Sequence, residues 1–214
     1  WLEKVLYGYD LQTYRDFELI IADDGSNKET FLLIEQIKNT VSYPIKHIWH
    51  PDEGFRKCTI LNKAILYSSG NYLVFSDGDC IPRADFLQTH FDFHEPDYFL
   101  SGGMYRLDIE VSHKITIEEI QQQQCFSIPY LRSLGQKRRC LKDLKLSLKI
   151  PKYISLMNFI TPANASWNGH NASGWKKDIL LVRGFDERMK YGGEDRELGE
   201  RLFNNGIKRS EERR

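Results

Sequence analysis

Tyr72 to Pro82 reads YLVFSDGDCIP. An apolar run, Leu73-Val74-Phe75, closes on two acids one residue apart, Asp77 and Asp79, with Gly78 between them. The run predicts a buried strand that surfaces at the acids. A D-x-D pair in such a loop can aim both carboxylates at one hard cation, and the glycine permits an unusual backbone angle. Mg²⁺ or Mn²⁺ held this way keeps several waters and bridges substrate phosphates. A solvated turn is the plain alternative, because Asp and Gly are common turn residues.

The same grammar occurs upstream. The stretch from Phe17 to Ala22, FELIIA, predicts a strand that ends at Asp23-Asp24, and Ile45 to Trp49 predicts another. Helices are expected around Leu2, Val5, Leu6 and Tyr9, around Phe31, Ile34 and Ile37, and around Ile60, Leu61, Ala64 and Ile65. Pro82 suits the first turn of a further helix. Strands alternating with helices argue for an α/β fold, with a mostly parallel central sheet flanked by helices. Ligands of such sheets bind outside the carboxyl ends of the strands, where both acidic clusters fall.

After about residue 97 the rhythm changes. YFLSGGMYRL predicts a strand, and residues 116–139 read as helical or partly disordered. Arg132 to Lys152 carries eight basic residues and one acid, with Leu141, Leu144 and Leu148 on one helical face. A solvated insertion, a contact with anionic membrane headgroups and a site for an anionic acceptor are the three readings of this stretch. A short helix is expected from Lys176 to Val182, and a longer one from Asp195 to Asn205 stopped by Gly206. The latter opens with Glu194-Asp195 after two glycines. Acids there are ordinary capping residues, but Leu198, Leu202 and Phe203 give the helix a buried face that would fix both carboxylates towards a pocket. The organisation expected is one domain in three parts: residues 1–106, a variable basic insertion at 107–160, and 161–214.

The 214 residues suffice for one sizeable domain. With 30 basic and 30 acidic residues the formal net charge is zero, so no whole-molecule field attracts nucleic acid. Cys58, Cys80, Cys125 and Cys140 are widely spaced and form no C-x-x-C pair, which argues against a zinc ribbon or a disulfide framework and fits a reducing compartment. No apolar run approaches the roughly 20 residues of a membrane span. The opening inside a helix and the stop just after another suggest that elements are missing at both ends.

Five blocks, FELIIADDGS, DEGFRKCTILNKAI, YLVFSDGDCIPRADFL, NASGWKKDILLVRGFDERM and GGEDRELGERL, resemble in their order the family 2 glycosyltransferases. These are inverting enzymes with the nucleotide-sugar-binding fold called GT-A. The resemblance covers most of the chain except roughly residues 107–160, and the last block is also similar to the galactosyltransferase-like half of chondroitin-polymerase-type enzymes.

The resemblance implies roles. Asp24 would contact the base or ribose of the sugar nucleotide, with Asp23 nearby. Arg56 and Lys57 would meet nucleotide or diphosphate, and Asn62 would hold their loop or the nucleotide. Asp77 and Asp79 would hold Mn²⁺ or Mg²⁺, Asp79 as the direct ligand. Asp195 would be the catalytic base and Glu194 an acceptor or pocket contact. Asn171 and Ser173 match a segment flanking the sugar and acceptor site, where His170 and Trp175 are further candidates. Two family features are absent: an N-terminal apolar strand with a P-x-Y-N-like turn, and a His after the Glu-Asp helix.

The expected reaction moves a sugar from a nucleoside diphosphate, UDP foremost, to the hydroxyl of a glycan or a lipid-linked acceptor. A nucleotide- or carbohydrate-binding module without turnover and a sugar-nucleotidyltransferase are the competing readings. The expected location is the cytoplasm, at the inner face of the membrane if residues 132–152 touch lipid.

Overall fold

A computed structural model describes residues 1–138, Asp143 and residues 166–209. The first part alternates α1 (Leu2–Asp10), β1 (Leu19–Asp23), α2 (Lys28–Lys38), β2 (Ile45–Trp49), α3 (Lys57–Tyr67), β3 (Tyr72–Phe75), α4 (Phe86–Asp92) and β4 (Tyr98–Ser101). The short helices α5 (Ile109–Lys114), α6 (Ile117–Gln121) and α7 (Ile128–Ser133) follow. The last part contains β5 (Ala172–Trp175), α8 (Lys176–Leu181), α9 (Glu194–Asn204) and β6 (Lys208–Arg209).

Local chemistry sets the element ends. Asn27 caps α2, its side chain accepting from the amides of Glu29 and Thr30 at 3.1 and 3.2 Å. Thr116 and Glu119 form a reciprocal capping box on α6. Pro82 does not enter α4, which begins at Phe86. The proline packs instead against Gly8 of α1, where a Cβ would lie 2.8 Å from its ring, and the Phe86 amide closes a turn onto Arg83.

β1 and β2 pair in parallel from Leu19↔Ile45 to Asp23↔Trp49. A second sheet has the order β3-β5-β4-β6. β5 runs antiparallel to both neighbours, and β4 is parallel to β6. The sheet is therefore more mixed than the mostly parallel one expected. β5 can enter this position because Ala172, Ser173 and Gly174 are small and buried. Trp167 lies across Gly174 of β5 and Gly199 of α9, where added Cβ atoms would come within 3.2 and 2.9 Å of it. One indole thus fixes the distance between sheet and helix.

Leu198 and Leu202 of α9 and Cys58 and Ile65 of α3 bury against Phe99, Trp167 and Phe185 in one core. A second core joins Val5 and Tyr9 of α1 to Tyr43 and Leu87, with Leu19 of β1 and Val74 of β3 packed against it, so the two sheets share a hydrophobic layer. Residues 109–133 form short helices packed around Val111, Ile120 and Leu131, with Leu11 and Ile81 among their apolar contacts to the rest, and Lys4 and Ala84 donating to the Ser112 carbonyl and the Gln123 side chain at 2.9 Å each. Arg132 is ion-paired to Asp143 at 2.7 Å. The rest of the basic stretch beyond residue 138, with Leu141, Leu144 and Leu148, lies outside the described residues. Among the described residues no helix is long and apolar enough to cross a membrane.

Candidate active site

Three elements end at one rim. β3 delivers Asp77 and Asp79, α3 opens with Lys57, and α9 opens with Glu194 and Asp195. The Lys57 Nζ lies 3.4 Å from Glu194 Oε1, 3.8 Å from Asp195 Oδ2 and 4.0 Å from Asp77 Oδ1. One ammonium therefore touches carboxylates that are 118 residues apart in sequence at the extremes, Asp77 and Asp195. Burial works against the Lys57 charge, but Asp195, Asp77 and Glu194 outweigh it and raise its pKa.

Asp195 is held above the ordinary carboxylate range, first by burial and then by Glu194 and Asp77, while Lys57 and the Gly169 backbone oppose the shift. Its carboxylate lies directly on Gly169, where a Cβ would be 2.7 Å from both oxygens. The register Phe75↔Ala172 explains this neighbour: the turn entering β5 emerges beside the loop leaving β3. Glu194 Oε2 and Asp195 Oδ1 are buried with no hydrogen-bond partner among the described residues.

The donor set beside them suits a divalent cation. Ligand atoms of Asp77, Asp79 and Cys80 all lie within 4.8 Å of one another, and both aspartates are exposed. The Cys80 amide bonds the Asp77 carbonyl at 3.1 Å, which curls the loop around that point. Two carboxylates with open access fit Mg²⁺ or Mn²⁺, which retain water and take phosphate oxygens.

Asp23 and Asp24 reach the same side but spend their oxygens internally. Asp23 accepts from the Ser26 amide at 2.8 Å and pairs with His47 Nε2 at 2.8 Å. Asp24 pairs with His50 Nε2 at 2.6 Å and accepts the Arg56 amide at 2.9 Å. Asp24 thus ties down the loop that carries Arg56 and Lys57, while Asp23 holds the turn after β1 against β2. The Arg56 guanidinium pairs with Glu53 at the surface. Asn62 holds the Phe185–Glu187 loop: it donates to the Phe185 carbonyl and to Glu187 at 2.9 Å each and accepts the Phe185 amide at 2.8 Å. These bonds go to the loop after α8, not to the Arg56–Lys57 loop that Asn62 was expected to hold.

Two expected acceptor contacts are corrected. Ser173 is fully buried, its hydroxyl bonded to Tyr72 and His90 at 2.7 Å each. Trp175 pairs with Tyr72 at the opposite end of β3 from Asp77; its indole N–H donates to the Glu95 carbonyl and its ring packs on Tyr72 and His94. The antiparallel direction of β5 carries it away from the rim by about three strand residues, or roughly 10 Å. Asn171 is at the right end, but its side chain is committed to the Gly103 carbonyl at 2.9 Å and to His90 at 3.1 Å. His170 is partly exposed beside Gly169.

Sequence reasoning missed His47, His50, His90 and Gly169. The two histidines of β2 and the loop after it carried a signal, since a second strand parallel to Asp23-Asp24 must place its own end beside them. His90 showed none, because its partners lie 81 and 83 residues away.

Residues 1–154 match the family model described as Glycosyl transferase family 2. The chain is 24% identical over 200 residues to a chondroitin synthase of Escherichia coli, covering 91% of this chain and 29% of that protein. It is 26% identical over 202 residues to a validoxylamine A glucosyltransferase of Streptomyces hygroscopicus subsp. jinggangensis (strain 5008), covering 90% and 45%. The chain thus spans less than half the length of these relatives. Among solved structures it resembles a mannosyltransferase from Pyrobaculum calidifontis determined with GDP-Man and Mn²⁺, with a TM-score of 0.64, 17% identity, and 97% and 49% coverage. TarS of S. aureus matches with a TM-score of 0.59, 14% identity, and 97% and 32% coverage. The fold is the GT-A fold, and this chain belongs to glycosyltransferase family 2.

Proposed function

We propose that this chain carries the active site of an inverting, metal-dependent glycosyltransferase that moves a sugar from a nucleoside diphosphate, with UDP preferred, to a hydroxyl of a glycan or lipid-linked acceptor. The observation that carries the proposal is the convergence on Lys57 of Asp77 from one side and Glu194 and Asp195 from the other. An acid-rich rim with one cation at its centre separates a diphosphate side from an acceptor side.

Asp77 and Asp79 would hold the divalent ion, which when bound supplies positive charge to the leaving diphosphate. Lys57 adds a charge-assisted contact on the same side. On the other side Asp195 accepts the proton of the acceptor hydroxyl as its oxygen forms the new bond to the anomeric carbon. The bond from that carbon to the diphosphate oxygen breaks on the opposite face, so one displacement inverts the centre. A raised pKa makes Asp195 a stronger base than an exposed carboxylate. Such a base contributes roughly 10²–10⁴-fold. Glu194, nearly buried, orients the acceptor or Lys57.

The relatives named chondroitin synthase support a polysaccharide acceptor. Cys58, Cys80 and Cys125 are free thiols, which supports a cytoplasmic setting, at the inner membrane face if the acceptor is lipid-linked. Isothermal titration of UDP, GDP and other nucleoside diphosphates with and without Mn²⁺ tests the donor side. Asp195→Asn tests the base: transfer is expected to vanish with nucleotide binding intact. Normal turnover in that variant, or no Mn²⁺-dependent nucleotide binding, overturns the reading.

A further inference from the structure

The turn over residues 168–171, which carries Gly169, is pinned at both corners. The Asn171 amide closes it onto the Asn168 carbonyl at 2.9 Å. The Asn168 side chain donates to Ser101 Oγ at 3.0 Å and to the Gly102 carbonyl at 3.3 Å, and the Asn171 side chain donates to the Gly103 carbonyl at 2.9 Å. The Gly102 amide returns a bond to the Asn171 carbonyl at 2.8 Å. A Cβ on Gly102 would lie 2.3 Å from Asn171 Nδ2, so the glycine leaves room for the asparagine side chain. Behind the turn stands His90 of α4, buried, with Nε2 3.1 Å from Asn171 Oδ1 and Nδ1 2.7 Å from Ser173 Oγ, which also bonds the Tyr72 hydroxyl. These bonds commit His90, Ser173 and the Asn171 side chain, and the chemistry of the rim gives them no direct part.

The turn nevertheless bears on that chemistry. Asp195 lies on Gly169, where a Cβ would be 2.7 Å from both carboxylate oxygens. Two residues earlier, Trp167 rests on α9 itself: its backbone nitrogen and its Cβ are each 2.9 Å from where a Cβ of Gly199 would stand. Turn and helix are packed without slack, so a shift of one displaces the other. Asp195 Oδ2 is 3.8 Å from the Lys57 ammonium, which reports where the carboxylate sits. A reacting group keeps its geometry through the packing and hydrogen bonds behind it, and a misplacement of about 1 Å costs about 10²-fold in rate. We propose that His90 and Asn171 are positioning residues which, through the 168–171 turn, set the place of the Asp195 carboxylate beside Lys57. The consequence for rate rests on the glycosyltransferase reading; the coupling of turn to carboxylate does not.

The test follows Lys57 by NMR in chains labelled with carbon-13 at lysine Cε, in metal-free buffer at neutral pH. Lys57→Arg assigns the Lys57 resonance, and Asp195→Asn marks its position once the neighbouring charge is gone. In His90→Leu and in Asn171→Ala the resonance should move roughly a fifth or more of the way to that mark, as the fall of a charge interaction over about 1 Å requires. His90→Gln should keep it in place, since the glutamine amide again offers a donor to Asn171 Oδ1. A role confined to stability would lower Tm and leave the resonance of the folded chain where it was. Should His90→Leu fail to fold, Asn171→Ala, at a half-buried position, carries the comparison. The proposal is overturned if Lys57 resonates alike in the unaltered chain and in Asn171→Ala, or if His90→Gln shifts it as far as His90→Leu. UDP affinity with Mn²⁺ should stay within about twofold in all three variants, while hydrolysis of UDP-glucose, UDP-galactose, UDP-N-acetylgalactosamine or GDP-mannose, with water in the acceptor's place, should fall about 10-fold in His90→Leu and Asn171→Ala alone. A shifted resonance with unaltered hydrolysis overturns the positioning role. A shifted resonance in a chain that neither binds UDP nor hydrolyses any of these donors upholds the coupling and overturns the glycosyltransferase reading instead.

Discussion

Lys57→Met removes the cation that Asp77, Glu194 and Asp195 share, and leaves a side chain of similar length. Two unit charges about 4 Å apart interact by about 4 kcal/mol at the effective dielectric near a protein surface. Asp77 is 44% exposed and contributes little after screening, whereas Glu194 is 8% and Asp195 27% exposed, with Lys57 at 28%. Relief of the lysine's own desolvation offsets part of the loss. A net destabilisation of about 2 kcal/mol at pH 8 is expected, or about 4–8 °C in Tm for a chain of this size. The sign of its pH dependence is fixed. Lys57 opposes the rise in the Asp195 pKa, so its removal raises that folded-state value further above the unfolded one. Such an acid favours folding below the unfolded pKa and loses that contribution as pH rises through the folded value. The Tm deficit of the variant should therefore be largest near pH 8 and shrink towards pH 4, and Lys57→Arg should recover most of it. Thermal unfolding of the three chains, free of added metal and followed by circular dichroism over this range, gives the answer. A deficit that is constant with pH, or that grows on acidification, would refute the electrostatic role given to Lys57.

Gly169→Ala should reduce transfer about 10²-fold with UDP affinity kept, because the new Cβ lies 2.7 Å from both Asp195 oxygens and must displace the base; single-turnover rates beside titrations separate the two effects. Burial holds His90 down at about 4, against an ordinary 6.5. A depressed histidine contributes stability above the unfolded pKa that is lost as pH falls through the folded one. Tm should thus drop between about pH 6.5 and 4, and His90→Gln should flatten that drop in the same unfolding series. Trp175→Phe should leave transfer rates within about twofold while lowering Tm by a few degrees, since its indole bond to Glu95 and its aromatic packing are remote from the rim.

What the sequence made legible follows from the range over which each signal acts. Strand ends marked by acids are local features, and Asp23, Asp77 and Asp79 appear where the apolar runs stop. The start of α9 was equally local: two glycines, then acids, then leucines at helical spacing. Strand direction was not local. Nothing in Ala172–Trp175 distinguishes a strand parallel to β3 from one antiparallel to it, and that choice decides whether Asn171 or Trp175 reaches the rim. The roles of Asp23 and Asp24 were hidden for the same reason. Their histidine partners come from β2 and from the residue after it, 24 and 26 positions onward. The line of donors from Tyr72 through Ser173 and His90 to Asn171 joins three segments and has no periodicity to read. Since the Asn171 amide donates to the Gly103 carbonyl, its oxygen accepts from His90 Nε2–H, and a His90 kept neutral by burial then accepts from the Ser173 hydroxyl at Nδ1.

The rim also shows where stability has been given up. A buried carboxylate oxygen without a partner costs on the order of 1–3 kcal/mol, more when charged, and two such oxygens occur on consecutive residues, Glu194 and Asp195. Asp23 and Asp24, by contrast, have partners on both oxygens and Asn62 on both ends of its amide, although Asp178 Oδ2 is a further buried carboxylate oxygen without a partner. Moving either acid of α9 outward would relieve the cost, yet Gly169 has no side chain, which allows Asp195 to press inward. Gly169 thereby sets how deeply the Asp195 carboxylate sits: Oδ1 is buried, while Oδ2 lies 3.8 Å from the Lys57 ammonium.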